Sequence, residues 1–264
     1  MIYSCVNLHF TDFCNFNCSH CFVKKENNEL SFEQLKIVVD KISNYYRENN
    51  IDGRINLAGG EPLLSRNIGN IIDYIYRKNI KVSIITNGYY LDESFIKSYG
   101  DKIDMIGISV DSLSFEGNMK IGRSYKANTL TREKIIYISS LIKGAGIRLK
   151  INTCLSKINC NEDFNLFINE IKPDRFKIFQ MCCDETNSNS VSNEEVDVFL
   201  KRINYKYVYE SSKDMEKSYV IIDSLGNVST NNFHNSNISI FDYSLQEAID
   251  ILEINYMDYL KRYI

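Results

Sequence analysis

Short apolar runs alternate with longer amphipathic stretches from the N-terminus to about residue 180. The candidate strands read SCVNLHF, GRINLAGG, KVSIITNG, DMIGISVD, RLKINTCL and RFKIFQ. Helical spacing of apolar residues predicts helices over 31–50, 67–78, 92–99, 130–145 and 161–171, and Ser31 with Gln34 forms a capping-box pattern at the first of them. Such alternation predicts a parallel sheet with right-handed crossovers, either a partial barrel or an open doubly wound sheet.

The pattern changes after residue 180. Residues 192–202 are predicted to form a sixth helix, 217–229 a hairpin that turns near Gly226, and 244–260 a single closing helix. We therefore expect residues 1–180 to form the main α/β unit. Residues 181–264 are expected to be a C-terminal α/β extension that covers one end of the sheet and the active site.

Alternation within the strands separates two faces, because residues two apart point to the same side. One face is aliphatic and suits helix packing. The other face is polar, and its predicted members are Asn7, His9, Asn56, Gly107, Ser109, Asp111, Lys150, Asn152, Arg175 and Lys177. Strands covered on both faces would instead be continuously apolar. The polar face therefore favours a partial (β/α)6 TIM-like barrel with a binding site in its lumen.

Three cations, Lys150, Arg175 and Lys177, lie on that predicted polar face, where Asp111 is the only acid. Buried and unpaired, each would cost several kcal/mol. One interpretation is that the substrate supplies the negative charge as a polyphosphate or several carboxylates. The other is that the cations sit at strand ends and reach solvent.

Composition restricts the protein class further. The chain has 264 residues, of which 44% are hydrophobic and 25% charged, with a net charge of −3 and an acidic C-terminal part. This balance argues against nucleic-acid binding. No apolar run approaches the ~20 residues of a membrane span, and the N-terminus lacks the pattern of a secretory signal. We expect a cytoplasmic protein that binds neither membrane nor nucleic acid.

Cys14, Cys18 and Cys21 form a C-x₃-C-x₂-C group in one loop after the first strand. Three thiolates can hold three irons of a [4Fe–4S] cluster and leave the fourth iron open. A structural zinc would need four ligands, and a catalytic zinc usually includes histidine or carboxylate. The remaining cysteines form no second C-x₂-C motif and are interpreted as small buried or surface residues: Cys5, Cys154, Cys160, Cys182 and Cys183.

The cysteine spacing after a first strand resembles the signature of the radical S-adenosylmethionine (SAM) superfamily. This resemblance implies that SAM chelates the open iron and that its one-electron cleavage yields a 5′-deoxyadenosyl radical. The stretches GGEP (59–62), TNG (86–88) and SVDS (109–112) resemble the SAM-contacting segments of that superfamily. They imply SAM-binding roles for Gly59, Gly60, Glu61, Asn87, Ser109 and Asp111. His20 departs from the family, which usually has a larger aromatic residue there.

Further stretches, among them IGR (121–123), RFKIFQ, SNEE and KSYVIID, resemble the viperin-like enzymes from about residue 3 to 255. The resemblance implies dehydration of a nucleoside triphosphate to its 3′-deoxy-3′,4′-didehydro analogue, a chain terminator in antiviral defence. CTP is favoured, and UTP or GTP are alternatives. There are two competing interpretations. The first is a radical SAM enzyme that acts on a peptide or small metabolite, and the second is a non-catalytic metal-binding or electron-transfer module.

The same resemblance implies particular roles. Lys150, Arg175 and Lys177 would bind the phosphates, with Lys24 or Lys25 as a further candidate. Arg123 would lie near both SAM and substrate, and Asn152 near SAM or the ribose. The nucleotide would also contact Asn7 and His9, and Tyr219 could supply a proton. An electron donor such as flavodoxin or ferredoxin is expected, and the enzyme is expected to act as a monomer.

Overall fold

The chain forms a nine-stranded sheet, in which all neighbouring strands are parallel except one pair at an edge. The structure is a computed structural model that describes residues 2–181, 188–230 and 237–261. The strands of this sheet are β1 (Cys5–Thr11), β2 (Arg54–Gly59), β3 (Lys81–Thr86), β4 (Ile103–Ser109), β7 (Arg148–Leu155), β8 (Arg175–Gln180), β9 (Tyr207–Glu210), β10 (Ile221–Ile222) and β11 (Val228–Ser229). Their order is β11-β10-β1-β2-β3-β4-β7-β8-β9. A separate hairpin pairs β5 (Ser124–Tyr125) with β6 (Asn128–Thr129).

Helices connect the parallel strands and cover one face of the sheet. They are α1 (Phe32–Glu48), α2 (Ile68–Arg77), α3 (Glu93–Tyr99), α4 (Phe115–Ile121), α5 (Arg132–Gly144), α6 (Asn165–Ile171), α7 (Asn193–Arg202), α8 (Leu245–Leu252) and α9 (Tyr256–Lys261). The capping box predicted at Ser31 is present, with reciprocal bonds to Gln34. The α/β fold class and the six principal strands are confirmed.

The helix-facing side of the sheet is the main core. Its aliphatic residues, such as Leu8, Ile106 and Ile151, have no solvent exposure. Strand register then aligns the polar positions of the other face in rows, for example Gly107 beside Lys150 and Lys150 beside Arg175. The prediction of two chemically different faces is therefore confirmed, and the polar face is the lumen.

The C-terminal part differs from the sequence-based expectation. Its strands extend the sheet at both sides, β9 beside β8 and β10 beside β1, an arrangement that the sequence did not predict. The closing helix is two helices, because Glu253 ends α8 in the left-handed conformation and Asn255 caps α9 through the Asp258 amide. Helix α4, the hairpin β5–β6 and strand β9 were not predicted. No helix among the described residues is long and apolar enough to cross a membrane.

Candidate active site

The cysteine loop follows β1 and is fastened to the end of α4. The amides of Asn17 and Ser19 donate to the carbonyls of Gly122 (3.1 Å) and Ile121 (2.8 Å). Gly122 has a φ of +85°, and a Cβ there would lie 2.1 Å from the Asn17 carbonyl oxygen. A glycine is therefore required where the helix meets the loop.

Three thiols lie in this loop, Cys14 and Cys18 half-buried and Cys21 exposed. Burial raises the pKa of Cys14, and it raises the pKa of Cys18 to about 11. Both groups are thus protonated without metal, and iron ligation would release those protons. Cys5 and Cys160 are buried elsewhere, whereas Cys182 and Cys183 lie outside the described residues.

The three thiols of the cysteine loop are a donor set that fits an iron–sulfur cluster. In the described part of the chain, no three His, Cys, Asp or Glu side chains are arranged to hold one metal ion. A cubane cluster attaches each thiolate to a separate iron, so it needs three soft ligands in one loop without a shared centre. Cys14, Cys18 and Cys21 meet that requirement.

The GGEP segment at the end of β2 packs directly against the cysteine loop. The amides of Gly60 and Glu61 donate to the carbonyls of Thr11 (2.7 Å) and Phe13 (2.6 Å). A Cβ on Gly60 would lie 2.1 Å from the Phe13 oxygen, and Gly59 has a φ of +119°. The two glycines thus allow a backbone contact that any side chain would block.

Glu61 is fully buried, and it accepts hydrogen bonds from the Thr86 hydroxyl (2.6 Å), the Asn87 amide (2.7 Å) and the Leu63 amide (3.1 Å). Burial raises the pKa of Glu61, which these donors partly offset. Both carboxylate oxygens are engaged. Glu61 therefore positions the TNG segment at the end of β3.

A small cavity lies between the cysteine loop and the ends of β3 and β4. The predicted SAM-contacting residues Asn87, Ser109 and Arg123 line it together with Phe16, Val110, Ser112, Asn118, Leu130 and Ile135. The Asn87 side chain also donates to Asn15 of the cysteine loop (2.8 Å). The structure thus brings three separate sequence motifs to one place beside the thiols.

Asp111 is buried at the end of β4 and pairs with the Arg123 guanidinium and with His20 Nε2 (3.3 Å). Burial alone would raise the pKa of Asp111, but Arg123 and then His20 hold it well below the usual range. The carboxylate also accepts from the Cys154 amide (2.7 Å). His20 is therefore tied to Asp111, and this pair fixes Arg123 beside Cys18.

Lys150, Arg175 and Lys177 meet on β7 and β8 in the lumen. Burial, and then the charges of Lys177 and Arg175, lower the pKa of Lys150 well below its usual range. No acceptor within the described ranges lies within hydrogen-bond distance of the Lys150 ammonium. The interpretation that these cations reach solvent is wrong for Lys177, which is 4% exposed.

Sequence reasoning missed one acid in this lumen. Glu210 lies at the end of β9. Its carboxylate is 2.5 Å from the Lys177 ammonium and accepts a hydrogen bond from the Tyr219 hydroxyl. The Lys177 ammonium also lies 3.5 Å from the Tyr219 oxygen. The expectation that Asp111 is the only acid on this face is therefore wrong. A predicted strand over 207–210 would have revealed this acid, because the alternation in YVYE puts Glu210 on the face opposite to that of Tyr209.

The remaining predicted residues occupy different environments. His9 lies in the lumen stacked on Phe22, with ring centroids 5.8 Å apart, and burial lowers its pKa to about 4. Asn152 is 7% exposed, and its Oδ1 has no hydrogen-bond partner among the described residues. Lys25 donates to the Phe16 carbonyl, whereas Lys24 is exposed.

Comparisons with known proteins agree with this geometry. Residues 8–171 match the family model of the Radical SAM superfamily. An S-adenosylmethionine-dependent nucleotide dehydratase of Psychrobacter lutiphocae is 32% identical over 98% of this chain and 94% of its own length. One from Flammeovirga pacifica is 30% identical over 97% and 93%. Native anSMEcpe, solved with SAM bound, matches with a TM-score of 0.70 and 18% identity over 97% of this chain and 82% of that one.

The sheet, the three-thiol loop and the family match together define a radical SAM enzyme built on a partial barrel, as the sequence predicted. That superfamily carries a [4Fe–4S] cluster and SAM, and the residues present fit both. Within it, the relatives that align over nearly the whole length show that this chain belongs to the viperin-like family of S-adenosylmethionine-dependent nucleotide dehydratases.

Proposed function

We propose that this enzyme dehydrates a nucleoside triphosphate, with CTP favoured and UTP or GTP as alternatives, to the 3′-deoxy-3′,4′-didehydro analogue. The product would act as a chain terminator in antiviral defence. The names of the full-length relatives support a nucleotide substrate. The cationic lumen is the observation that supports a triphosphate as the substrate.

Three cations and one described carboxylate, Glu210, share the far side of that lumen. The lowered pKa of Lys150 reports that its charge is poorly compensated in the ligand-free protein. A triphosphate would compensate Lys150, Arg175 and Lys177 together, because phosphate oxygens accept several charge-assisted hydrogen bonds at once. A neutral metabolite would leave the charge uncompensated.

We further propose that Cys14, Cys18 and Cys21 hold the cluster. SAM would contact a set from the three strand ends and from β7: Gly59, Gly60, Glu61, Asn87, Ser109, Asp111, Arg123 and Asn152. When bound, the cluster and SAM together would supply a carbon radical that abstracts a hydrogen atom from the substrate ribose. The buried, partnerless Oδ1 of Asn152 suits a hydroxyl or ammonium of either molecule.

The chain's own residues would then bind, orient and move a proton. With a pKa near 4, His9 is neutral at pH 7, so it would contact the nucleotide by hydrogen bonding, as would Asn7. Tyr219 would give its phenolic proton to the departing 3′ hydroxyl, which leaves as water while an electron from the reductant reduces the ribose radical and the 3′,4′ double bond forms. The adjacent Lys177 ammonium would stabilise the resulting phenolate.

An anaerobic assay tests this function. The protein is reconstituted with iron and sulfide, then given SAM, dithionite and CTP, UTP, GTP or a peptide. We expect 5′-deoxyadenosine formation that depends on a nucleotide and a nucleotide product lighter by one water in mass spectrometry. Cys18→Ala should abolish both, whereas Cys160→Ala, a buried thiol outside the loop, should retain them. Peptide-dependent cleavage alone would refute the proposal.

The remaining partners follow from the same proposal. The electron would come from a carrier such as flavodoxin or ferredoxin, and the enzyme would act as a monomer in the cytoplasm. Replacing dithionite by reduced flavodoxin and measuring the molar mass in solution test these two points.

A further inference from the structure

A ladder of polar side chains crosses one wall of the lumen on three neighbouring strands, β1, β2 and β3. Register places Asn7 of β1 beside Asn56 of β2, and Asn56 beside Ser83 of β3. On the other side of Asn7 lies β10, which pairs with β1, and the residue just before β10 is Val220. The Ser83 hydroxyl donates to Asn56 Oδ1, Asn56 Nδ2 donates to Asn7 Oδ1 (2.9 Å), and Asn7 Nδ2 donates to the Val220 carbonyl (3.4 Å).

The direction of this ladder is set at one end. A backbone carbonyl can only accept a hydrogen bond, so the Asn7 amide must turn its NH₂ toward Val220. Its oxygen then faces Asn56, which must present an NH₂, and the Asn56 oxygen faces Ser83. Asn56 also donates to the Cys5 sulfur (3.1 Å), so both of its amide hydrogens and its oxygen are used.

Asn7 has one amide hydrogen left over. Its oxygen and its other hydrogen are engaged, and no acceptor in the described part of the chain takes the remaining N–H. Asn7 is partly exposed, whereas Ser83 is completely buried. The ladder therefore begins at a buried hydroxyl and ends at an oriented donor that faces the lumen.

We propose that Asn56 and Ser83 are positioning residues that fix Asn7 as a hydrogen-bond donor to an acceptor atom of the bound nucleotide. Without Ser83, the Asn56 oxygen loses its donor, so Asn56 is held less rigidly against the Asn7 oxygen and the lumen-facing N–H of Asn7 is less well oriented. The inference rests on the proposed function, since it takes a nucleotide as the ligand. It adds two residues, neither of which reaches the substrate itself.

A double-mutant cycle tests this coupling in the reconstituted, SAM-loaded enzyme without reductant, with CTP as the probe. We expect Asn7→Ala to raise the Kd for CTP roughly tenfold, the loss of one hydrogen bond of ordinary strength. Ser83→Ala should raise it about fivefold. The double variant should bind no worse than Asn7→Ala alone, because Ser83 acts only through Asn7.

Ser139→Ala is the matched control, since Ser139 is a buried serine of α5 whose hydroxyl has no partner among the described residues. It should leave the Kd unchanged. Multiplying effects in the double variant, or an equal loss in Ser139→Ala, would overturn the inference while wild-type binding stands. A wild-type enzyme that binds none of CTP, UTP and GTP would overturn the proposed function, and the inference with it.

Discussion

The Lys177–Glu210 pair makes a quantitative prediction about stability. Both side chains are at most 5% exposed, and their charged atoms lie 2.5 Å apart. Glu210→Gln leaves a buried ammonium without this carboxylate, in a lumen that already holds Lys150 and Arg175. Removing one partner of a buried pair typically costs 3–5 kcal/mol, and the retained hydrogen-bonding shape of Gln favours the lower figure of about 3 kcal/mol.

For a chain of this size, such a loss corresponds to a fall in Tm of roughly 6–12 °C. Differential scanning fluorimetry of the ligand-free protein measures it. Because a triphosphate would supply the missing negative charge, CTP should raise the Tm of the variant more than that of the wild type. Glu93→Gln is the control, because it removes a solvent-exposed pair with Lys97, and exposed ion pairs contribute little to stability.

The reasoning fails if the Tm of Glu210→Gln lies within 2 °C of the Tm of Glu93→Gln, because 2 °C corresponds to at most ~1 kcal/mol for a chain of this size. It also fails if CTP raises the Tm of wild type and variant equally, since the triphosphate would then not neutralise the charge that Glu210 leaves behind.

Three further changes have defined outcomes. The pKa of Lys150 is lower in the folded than in the unfolded protein, so its charge lowers stability at pH 7. Lys150→Met should therefore raise the ligand-free Tm while weakening CTP binding, and a lower Tm would contradict this. His9 titrates near 4 when folded and near 6.5 when unfolded, so wild-type stability should fall as pH drops between these values. His9→Gln should remove roughly 2 kcal/mol of that fall, measured by urea unfolding at pH 7 and pH 4.5. Gly60→Ala should abolish iron binding on reconstitution, because its Cβ would lie 2.1 Å from the Phe13 oxygen, whereas Gly144→Ala, with nothing within 4 Å, should retain it.

Strand alternation and motif spacing determined much of this protein from the sequence. Period-two patterns in the parallel strands assign each residue to the helix side or the lumen, which is why Lys150 and Lys177 were placed correctly. The cysteine spacing needs no long-range information, because the three thiols lie in one loop. Likewise, the Ser31 capping box depends only on residues three apart.

Contacts between distant segments were decided only by the tertiary structure. Glu210 ends β9 at one edge of the sheet, whereas Tyr219 lies just before β10 toward the other edge. A strand as short as β9 carries too little periodicity for the sequence to predict its place. The orientation of Asn7 depends on the Val220 carbonyl, more than two hundred residues away in sequence. Local patterns determine which face a side chain occupies, whereas its partners depend on strand order and register, which arise only when the whole sheet assembles.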